Sequence, residues 1–128
     1  MRLLLDTHAF LWWIFDDPRL SPTARDLIAD PAAEILFSAV SAWEVAIKAR
    51  TGRLDLPADI AAFVQDQVRR NRFTVLPITL HHALRVHALP DHHRDPFDRL
   101  LVAQAQVEAV PLVSRDRQLT LYAVELCW

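Results

Sequence analysis

Short apolar runs alternate along the chain with longer stretches in which apolar residues recur every three or four positions. The short runs predict buried β-strands, and the longer periodic stretches predict amphipathic helices. The predicted strands cover residues 2–6, 34–38, 73–78, 110–114 and 122–128. The predicted helices cover residues 8–15, 20–30, 39–52, 58–71, 79–89 and 95–109. This alternation predicts an α/β protein, a three-layer α/β/α sandwich around a five-stranded, mostly parallel sheet.

Residue types at the helix ends agree with these boundaries. Ser21 stands at an N-cap position before Pro22, which suits the first helical position. Thr79 is placed to cap the fifth helix, and Asp95 to cap the sixth ahead of Pro96. Gly52 is expected to end the third helix, because glycine readily adopts the left-handed conformation found there.

The composition is that of one globular domain, predicted to span residues 1–128. The chain is 52% hydrophobic and 23% charged, with a net charge of −2, so there is no global basic field to hold nucleic acid. A single glycine leaves no possibility of a glycine-rich phosphate loop. The lone Cys127 fits a reducing cytoplasm. Asp6 and His8 interrupt the apolar N-terminus, so neither a signal peptide nor a membrane span is expected.

Two acidic residues follow predicted strands. Asp6 ends the first strand, and Asp116 comes two residues after the fourth. Ligands of open parallel sheets bind beyond the carboxyl ends of the strands, so both side chains are candidates for one site. The structural alternative is that Asp6 caps a helix and Asp116 occupies a turn, both favoured positions for aspartate.

Glu44 lies beside an apolar stripe of the third predicted helix, formed by Val40, Trp43 and Ile47. This position indicates a carboxylate at the edge of the core. The structural alternative is an exposed ion pair with Lys48, one turn later, worth a few tenths of a kcal/mol.

The segment "RDPFDRLL" carries two further acids at the start of the sixth helix. Asp95 is suited to the N-cap, and Asp98 is the third helical residue, where the helix dipole favours a carboxylate. A helix start therefore explains Asp95 well and Asp98 adequately. It leaves unexplained why Asp98 would lie at the same sheet edge as the other acids.

Clustered carboxylates repel one another, so such a cluster usually persists because a divalent cation neutralises it. Ligation by oxygen alone suits Mg²⁺ or Mn²⁺. Such a site supports phosphodiester hydrolysis, since the metal lowers the pKa of a bound water and stabilises charge on phosphorus. A carboxylate not bound to metal could accept the proton of that water.

Four ordered segments carry a resemblance to a known family: "LLLDTHAFLWW", "SAVSAWEVAIKARTGRL", "HHRDPFDRLLVAQA" and "LVSRD". Their order and spacing resemble those of PIN-domain proteins, particularly the VapC-type toxins of bacterial toxin–antitoxin pairs. The resemblance covers essentially the whole chain. It implies a Mg²⁺- or Mn²⁺-dependent ribonuclease, a hydrolase, with a three-layer α/β/α fold.

The resemblance also implies roles for individual residues. The four acids of the family, both metal ligands and catalytic residues, correspond to Asp6, Glu44, Asp98 and Asp116. Asp98 is the third acid because the family places it where the "LLVAQA" helix opens, and Asp95 is a supporting residue as a cap or outer-sphere ligand. Hydroxyl side chains often found near the acids, where they could orient metal-bound water, correspond to Thr7, Ser41 and Ser114.

The same resemblance implies partners. A VapC-type toxin has an RNA substrate, forms a homodimer and is inhibited by a cognate antitoxin whose tail blocks the site. The aromatic run "FLWWIF" could contribute to an interface, although core packing explains most of it.

Basic residues bracket the acids in the sequence. The candidates for contact with RNA phosphates are Lys48, Arg94, Arg99 and Arg115, with Arg117 nearby. The alternative is that they solvate the surface or form ion pairs with the acids. The six histidines are expected to lie in solvated helices and loops, because no spacing typical of a zinc site is present.

Two other functional classes fit parts of the pattern. A receiver-like signalling domain would also have an acidic Mg²⁺ pocket, but it needs an aspartate closing a middle strand and a lysine at a later strand end. "FTVLPI" ends without aspartate, and the only lysine lies in a predicted helix. A non-catalytic α/β binding module would use the same acids only as helix caps.

Overall fold

The computed structural model describes residues 1–128 and has one five-stranded sheet with the strand order β3-β2-β1-β4-β5. Every pair of neighbouring strands is parallel. The strands are β1 (Arg2–Leu5), β2 (Glu34–Ser38), β3 (Thr74–Leu76), β4 (Leu112–Val113) and β5 (Leu126–Cys127). The strand order reverses direction at β1, so the topological switch point lies between β1 and β4.

Helices connect the strands, as parallel pairing requires. They are α1 (Thr7–Ile14), α2 (Pro22–Ala29), α3 (Ala39–Arg50), α4 (Ile60–Arg70), α5 (Leu80–Arg85) and α6 (Pro96–Glu108). Two 3₁₀ helices are also present: Val86–Ala88 lies between α5 and α6, and Arg117–Leu121 lies between β4 and β5. None of these helices has both the length and the apolar character needed to cross a bilayer.

Alternation along the central strand divides the core into two layers. Leu3 and Leu5 of β1 pack on one face of the sheet with α1, α2 and α4. Leu4, between them, packs on the other face with buried residues of α6. Successive side chains of a strand point to opposite faces, so the sheet is covered on both sides. The predicted three-layer α/β fold is thereby confirmed.

The capping residues stand where the sequence places them. Ser21 accepts a hydrogen bond from the Ala24 amide at 3.0 Å, and Pro22 is the first residue of α2. Thr79 and His82 form a reciprocal capping box at the start of α5. These caps satisfy amide groups that the helices themselves leave without partners.

Some elements are shorter than predicted, mainly in the last third of the chain. Strands β4 and β5 have two residues each, and the Arg117–Leu121 3₁₀ helix lies in the connection between them. Helix α5 ends at Arg85 and continues as one 3₁₀ turn before Pro90. A residue before proline is driven towards extended backbone, and Leu89 is extended with ψ 136°.

Candidate active site

Asp6 and Asp116 lie beyond the carboxyl ends of β1 and β4, which are adjacent strands at the switch point. Each side chain also caps a helix: Asp6 Oδ1 accepts from the Ala9 amide at 2.7 Å, and Asp116 Oδ1 accepts from the Gln118 amide at 3.0 Å. The structural and functional interpretations of these residues are therefore compatible. One oxygen holds the helix start, and the other oxygen of each carboxylate is not used by the cap.

Glu44 is buried within α3, with an exposed fraction of 3%. The Thr7 hydroxyl donates to Glu44 Oε1 at 2.6 Å, and the Lys48 ammonium pairs with Oε2. The structural alternative predicted an ion pair between exposed side chains. The pair with Lys48 is present, but Glu44 is buried. For Lys48, the sequence left open either contact with RNA or an ion pair with an acid. The structure shows the ion pair.

The predicted hydroxyl residues are buried around these acids. Thr7 Oγ1 lies 2.9 Å from Ser41 Oγ; since Thr7 donates to Glu44, Ser41 donates to Thr7. Ser114 Oγ accepts from the Asp116 amide at 3.1 Å, and the Ser114 side chain also forms a hydrogen bond that favours ionised Asp6. These hydroxyls therefore orient the carboxylates of Glu44 and Asp6 and hold the backbone at Asp116.

The two aspartates of "RDPFDRLL" have different environments. Asp95 Oδ1 accepts from the Phe97 and Asp98 amides at 2.8 and 3.2 Å, so Asp95 is the N-cap of α6. Asp98 follows in the first turn, and its side chain keeps an exposed fraction of 23%. The cap thus fixes the first turn of α6, and with it the direction in which the Asp98 side chain projects from the helix.

Burial and mutual repulsion make the ionised acids costly. Burial raises the pKa of Asp6 above 3.8, opposed by hydrogen bonds from Ser114 and Ala9, while the Glu44 charge raises it further. Burial also raises the pKa of Asp98 to about 7, with added repulsion from Asp95, Asp6 and Glu44. Asp6, Glu44 and Asp98 are therefore close enough for each charge to affect the others.

His93 is a site residue that sequence reasoning missed. Its Nε2 lies 2.8 Å from Asp116 Oδ2 and 3.4 Å from Asp98 Oδ2, with 13% of the side chain exposed. The expectation of solvated histidines is therefore wrong here, and also for His82, which is fully buried. The signal available in the sequence was only that His93 stands two residues before Asp95.

The ligand-capable atoms of His93, Asp98 and Asp116 lie within 4.8 Å of one another, but the imidazole is arranged as a donor. The Asp95 amide donates to Nδ1 at 3.1 Å, so the lone pair of Nδ1 is already used. A neutral imidazole then carries its proton on Nε2, which donates to Asp116. His93 therefore links Asp116 to Asp98 and leaves cation binding to carboxylate oxygens.

Arg99, predicted as an RNA contact, instead holds the loop that carries His93. Its guanidinium donates to the Pro90 carbonyl at 2.9 Å and to the Tyr122 hydroxyl at 3.3 Å. Weaker bonds reach the carbonyl oxygens of Val86, Leu89 and His93. The prediction was wrong because these carbonyl groups, distant in sequence, enclose the guanidinium in the folded chain.

We expect Arg99→Lys to lower the free energy of unfolding by about 1–3 kcal/mol, since a lysine ammonium cannot reproduce the planar set of donors. Urea denaturation followed by circular dichroism measures this change. Arg94→Lys is the matched control, because Arg94 is exposed in the same segment. Equal stability of the two variants would contradict the role assigned to Arg99.

The donor set fits a hard divalent cation. The acids Asp6, Glu44, Asp98 and Asp116 supply oxygen ligands, and the basic side chains that contact them are Lys48 and His93. Burial, and after it repulsion from neighbouring acids, raises the pKa of Asp98, and a cation between the acids would offset both effects. These features define a class: parallel α/β proteins with a polyacidic site at the switch point of the sheet.

Comparison with known proteins places the chain within this class. The PIN domain family model matches residues 3–125. Ribonuclease VapC22 of Mycobacterium tuberculosis is 34% identical over 118 residues, covering 91% of this chain and 88% of that protein. The chain therefore belongs to the PIN-domain family, among proteins similar to VapC.

Solved structures agree with the fold. VapBC2 from Rickettsia felis, crystallised with a DNA fragment from its promoter, matches with a TM-score of 0.71 at 12% identity, covering 98% of this chain and 97% of that one. A toxin–antitoxin complex from Klebsiella pneumoniae matches with a TM-score of 0.57 at 22% identity, covering 91% and 89%. At these identities the structural likeness establishes the fold.

Proposed function

We propose that this protein is the ribonuclease toxin of a toxin–antitoxin pair and cleaves RNA within the strand. The observation that carries the proposal is the convergence of Asp6, Glu44 and Asp98 at the switch point of the sheet, with Asp116 on the adjacent strand end. Membership of the PIN-domain family and 34% identity to a protein named ribonuclease support the substrate class.

The cofactor proposed is Mg²⁺ or Mn²⁺, held by the oxygens of Asp6, Asp98 and Asp116, with Glu44 beside them. When bound, the cation would supply an acidified water and stabilise the charge that develops on the scissile phosphate. An all-oxygen donor set favours these hard cations over zinc.

The chain's own residues contribute orientation and proton transfer. The caps on Ala9 and Gln118 hold Oδ1 of Asp6 and Oδ1 of Asp116. His93 fixes Asp116 through Nε2. Glu44 is held between Thr7 and Lys48, and a carboxylate not bound to metal can accept the proton of the attacking water.

The proposed partners are a cognate antitoxin and a second copy of the chain, in the cytoplasm, with residues 1–128 acting as a single domain. The structural relatives include a toxin–antitoxin complex, which supports the first partner. Exposed apolar side chains on β3, on α5 and in the connection between them support the second, since such surface usually marks an interface. These side chains are Val75, Ile78, Leu80 and Leu84.

The test is RNA cleavage by the purified protein, with sequencing of the RNA ends. We expect cleavage that needs Mg²⁺ or Mn²⁺, stops with EDTA and falls by more than about 100-fold in Asp6→Asn. Asparagine keeps the N-cap, so this variant should fold normally by circular dichroism. Undiminished cleavage by folded Asp6→Asn would overturn the role of Asp6, and metal-independent cleavage would overturn the cofactor.

A further inference from the structure

A groove of about 440 Å³ opens directly beside two of the acids. It is large enough for a small ligand fragment, and a single apolar residue lines it. The lining residues are Asp6, His8, Trp12, Arg19, Arg115, Asp116 and Arg117. Because Asp6 and Asp116 line this groove, whatever occupies it lies next to the acids of the site.

His8 offers a flat ring in this groove. The imidazole stacks on Trp12 with ring centroids 5.4 Å apart and an angle of 16° between the planes. Trp12 is buried while His8 is exposed, so Trp12 supports one face of the imidazole and leaves the ring accessible from solvent. Aromatic rings, including histidine, are surfaces on which unpaired RNA bases stack.

The cations of the groove differ in how far they are neutralised. Arg19 forms a two-pronged pair with Asp17, which lowers the pKa of Asp17 to about 2. The guanidinium groups of Arg115 and Arg117 form no ion pair or hydrogen bond, and Arg115 lies 4.9 Å from the Trp12 ring centroid. Two exposed cations without acidic partners therefore stand beside the carboxylates.

We infer that this groove binds the RNA nucleotide next to the scissile phosphate, with its base stacked on His8 and its backbone phosphate held by Arg115 and Arg117. The inference rests on the proposed ribonuclease function and adds a binding subsite to it. Arginine suits this role because its planar guanidinium matches phosphate geometry. Trp12 acts by positioning His8 and Arg115, both of which lie against its ring.

A nucleotide fits the groove better than a protein segment does. Protein interfaces are anchored by buried apolar and aromatic contacts, whereas Trp12 is the only apolar residue of this groove. Two neighbouring exposed arginines on α4 differ in this respect, since Arg69 and Arg70 both pair with Asp66. The combination of a flat ring and two unpaired guanidinium groups next to the acids is specific to this groove.

The experiment measures binding of a fluorescein-labelled single-stranded RNA by anisotropy, using Asp98→Asn as the background so that the RNA stays intact. The variant Arg115→Gln/Arg117→Gln is compared with Arg69→Gln/Arg70→Gln, which changes the net charge equally. We expect at least about tenfold weaker binding for the first pair, with the salt slope reduced by about two. The control pair should bind within about twofold of the background.

A second comparison isolates the stacking. His8→Ala should weaken RNA binding by about 5- to 100-fold, the range expected for losing one stacked base, with an unchanged salt slope. His81→Ala, an exposed histidine on α5, is its control and should bind as the background does. The two signatures separate base stacking from phosphate contact.

Equal affinities of the two arginine pairs would overturn the inference and leave the groove to a protein partner. Cleavage by the wild-type protein, assayed in parallel, tells this outcome from failure of the proposed function. If the wild type cleaves RNA while the groove variants bind normally, only the subsite is wrong. If the wild type neither binds nor cleaves RNA, both proposals fall.

Discussion

Replacing Asp98 by asparagine is expected to reduce RNA cleavage by more than about 100-fold while making the metal-free protein more stable. The loss exceeds the roughly 10- to 100-fold cost of losing a residue that only orients a metal ligand. The gain in the free energy of unfolding is about 2–4 kcal/mol at neutral pH, because the pKa of Asp98 is raised to about 7 by burial and by neighbouring acids. Asparagine removes the charge that causes this cost.

Opposite changes in activity and stability distinguish a ligand from a structural residue. Cleavage assays and urea denaturation in EDTA measure the two effects on the same preparation. Asp95→Asn is the control, since asparagine caps a helix as well as aspartate does, and it should keep activity within a few-fold. If Asp95→Asn is inactive and Asp98→Asn active, the third acid of the site is Asp95.

The second large effect is stabilisation by a divalent cation. Mn²⁺ or Mg²⁺ at about 100 times its dissociation constant should raise the free energy of unfolding by about 2.7 kcal/mol, seen as a higher Tm in thermal denaturation. The stabilisation should be larger at pH 8 than at pH 5, because the raised pKa values of Asp6 and Asp98 keep these ligands partly protonated at low pH. Ca²⁺-free buffer and EDTA give the reference.

The metal-free protein should show the opposite dependence on pH. Between about pH 4 and 7 the folded chain binds a proton at Asp98 that the unfolded chain has lost, so stability falls as the pH rises through this window. Asp98→Asn should largely flatten this slope. A Tm that changes with neither metal nor pH would contradict a cation site at the acidic cluster. It would favour a non-catalytic binding module.

Local sequence patterns predicted much of the candidate site. Asp6, Asp98 and Asp116 stand at strand ends or helix starts, where chain direction is set by the strand or the cap, so their common edge of the sheet follows from parallel topology. The same patterns predicted the cap at Asp95 and the start of α2 at Pro22. Each of these features depends on residues within a few positions of one another.

Other parts of the site depend on contacts between distant segments. His93 meets Asp116 across 23 positions of sequence, and its tautomer follows from the Asp95 amide beside it. Arg99 was predicted to face RNA, yet it donates to Pro90 and Tyr122. A sequence does not reveal which carbonyl groups a guanidinium will meet, because long side chains select partners only after the backbone has folded.

Membership of the PIN-domain family excludes the receiver-like alternative, and the structure adds a physical reason. Lys48, the only lysine, pairs with Glu44 in α3 and does not follow a strand.

The sequence by itself determined the α/β alternation, the parallel sheet, the helix caps and the positions of the acids, because these follow from periodicity and from short-range hydrogen bonding. Tertiary structure alone decided the environments of these groups: the burial of Glu44, the raised pKa of Asp98, the donor role of His93 and the groove beside Trp12. Charge and solvation depend on everything within several ångströms of a group, and most of those atoms come from elsewhere in the chain.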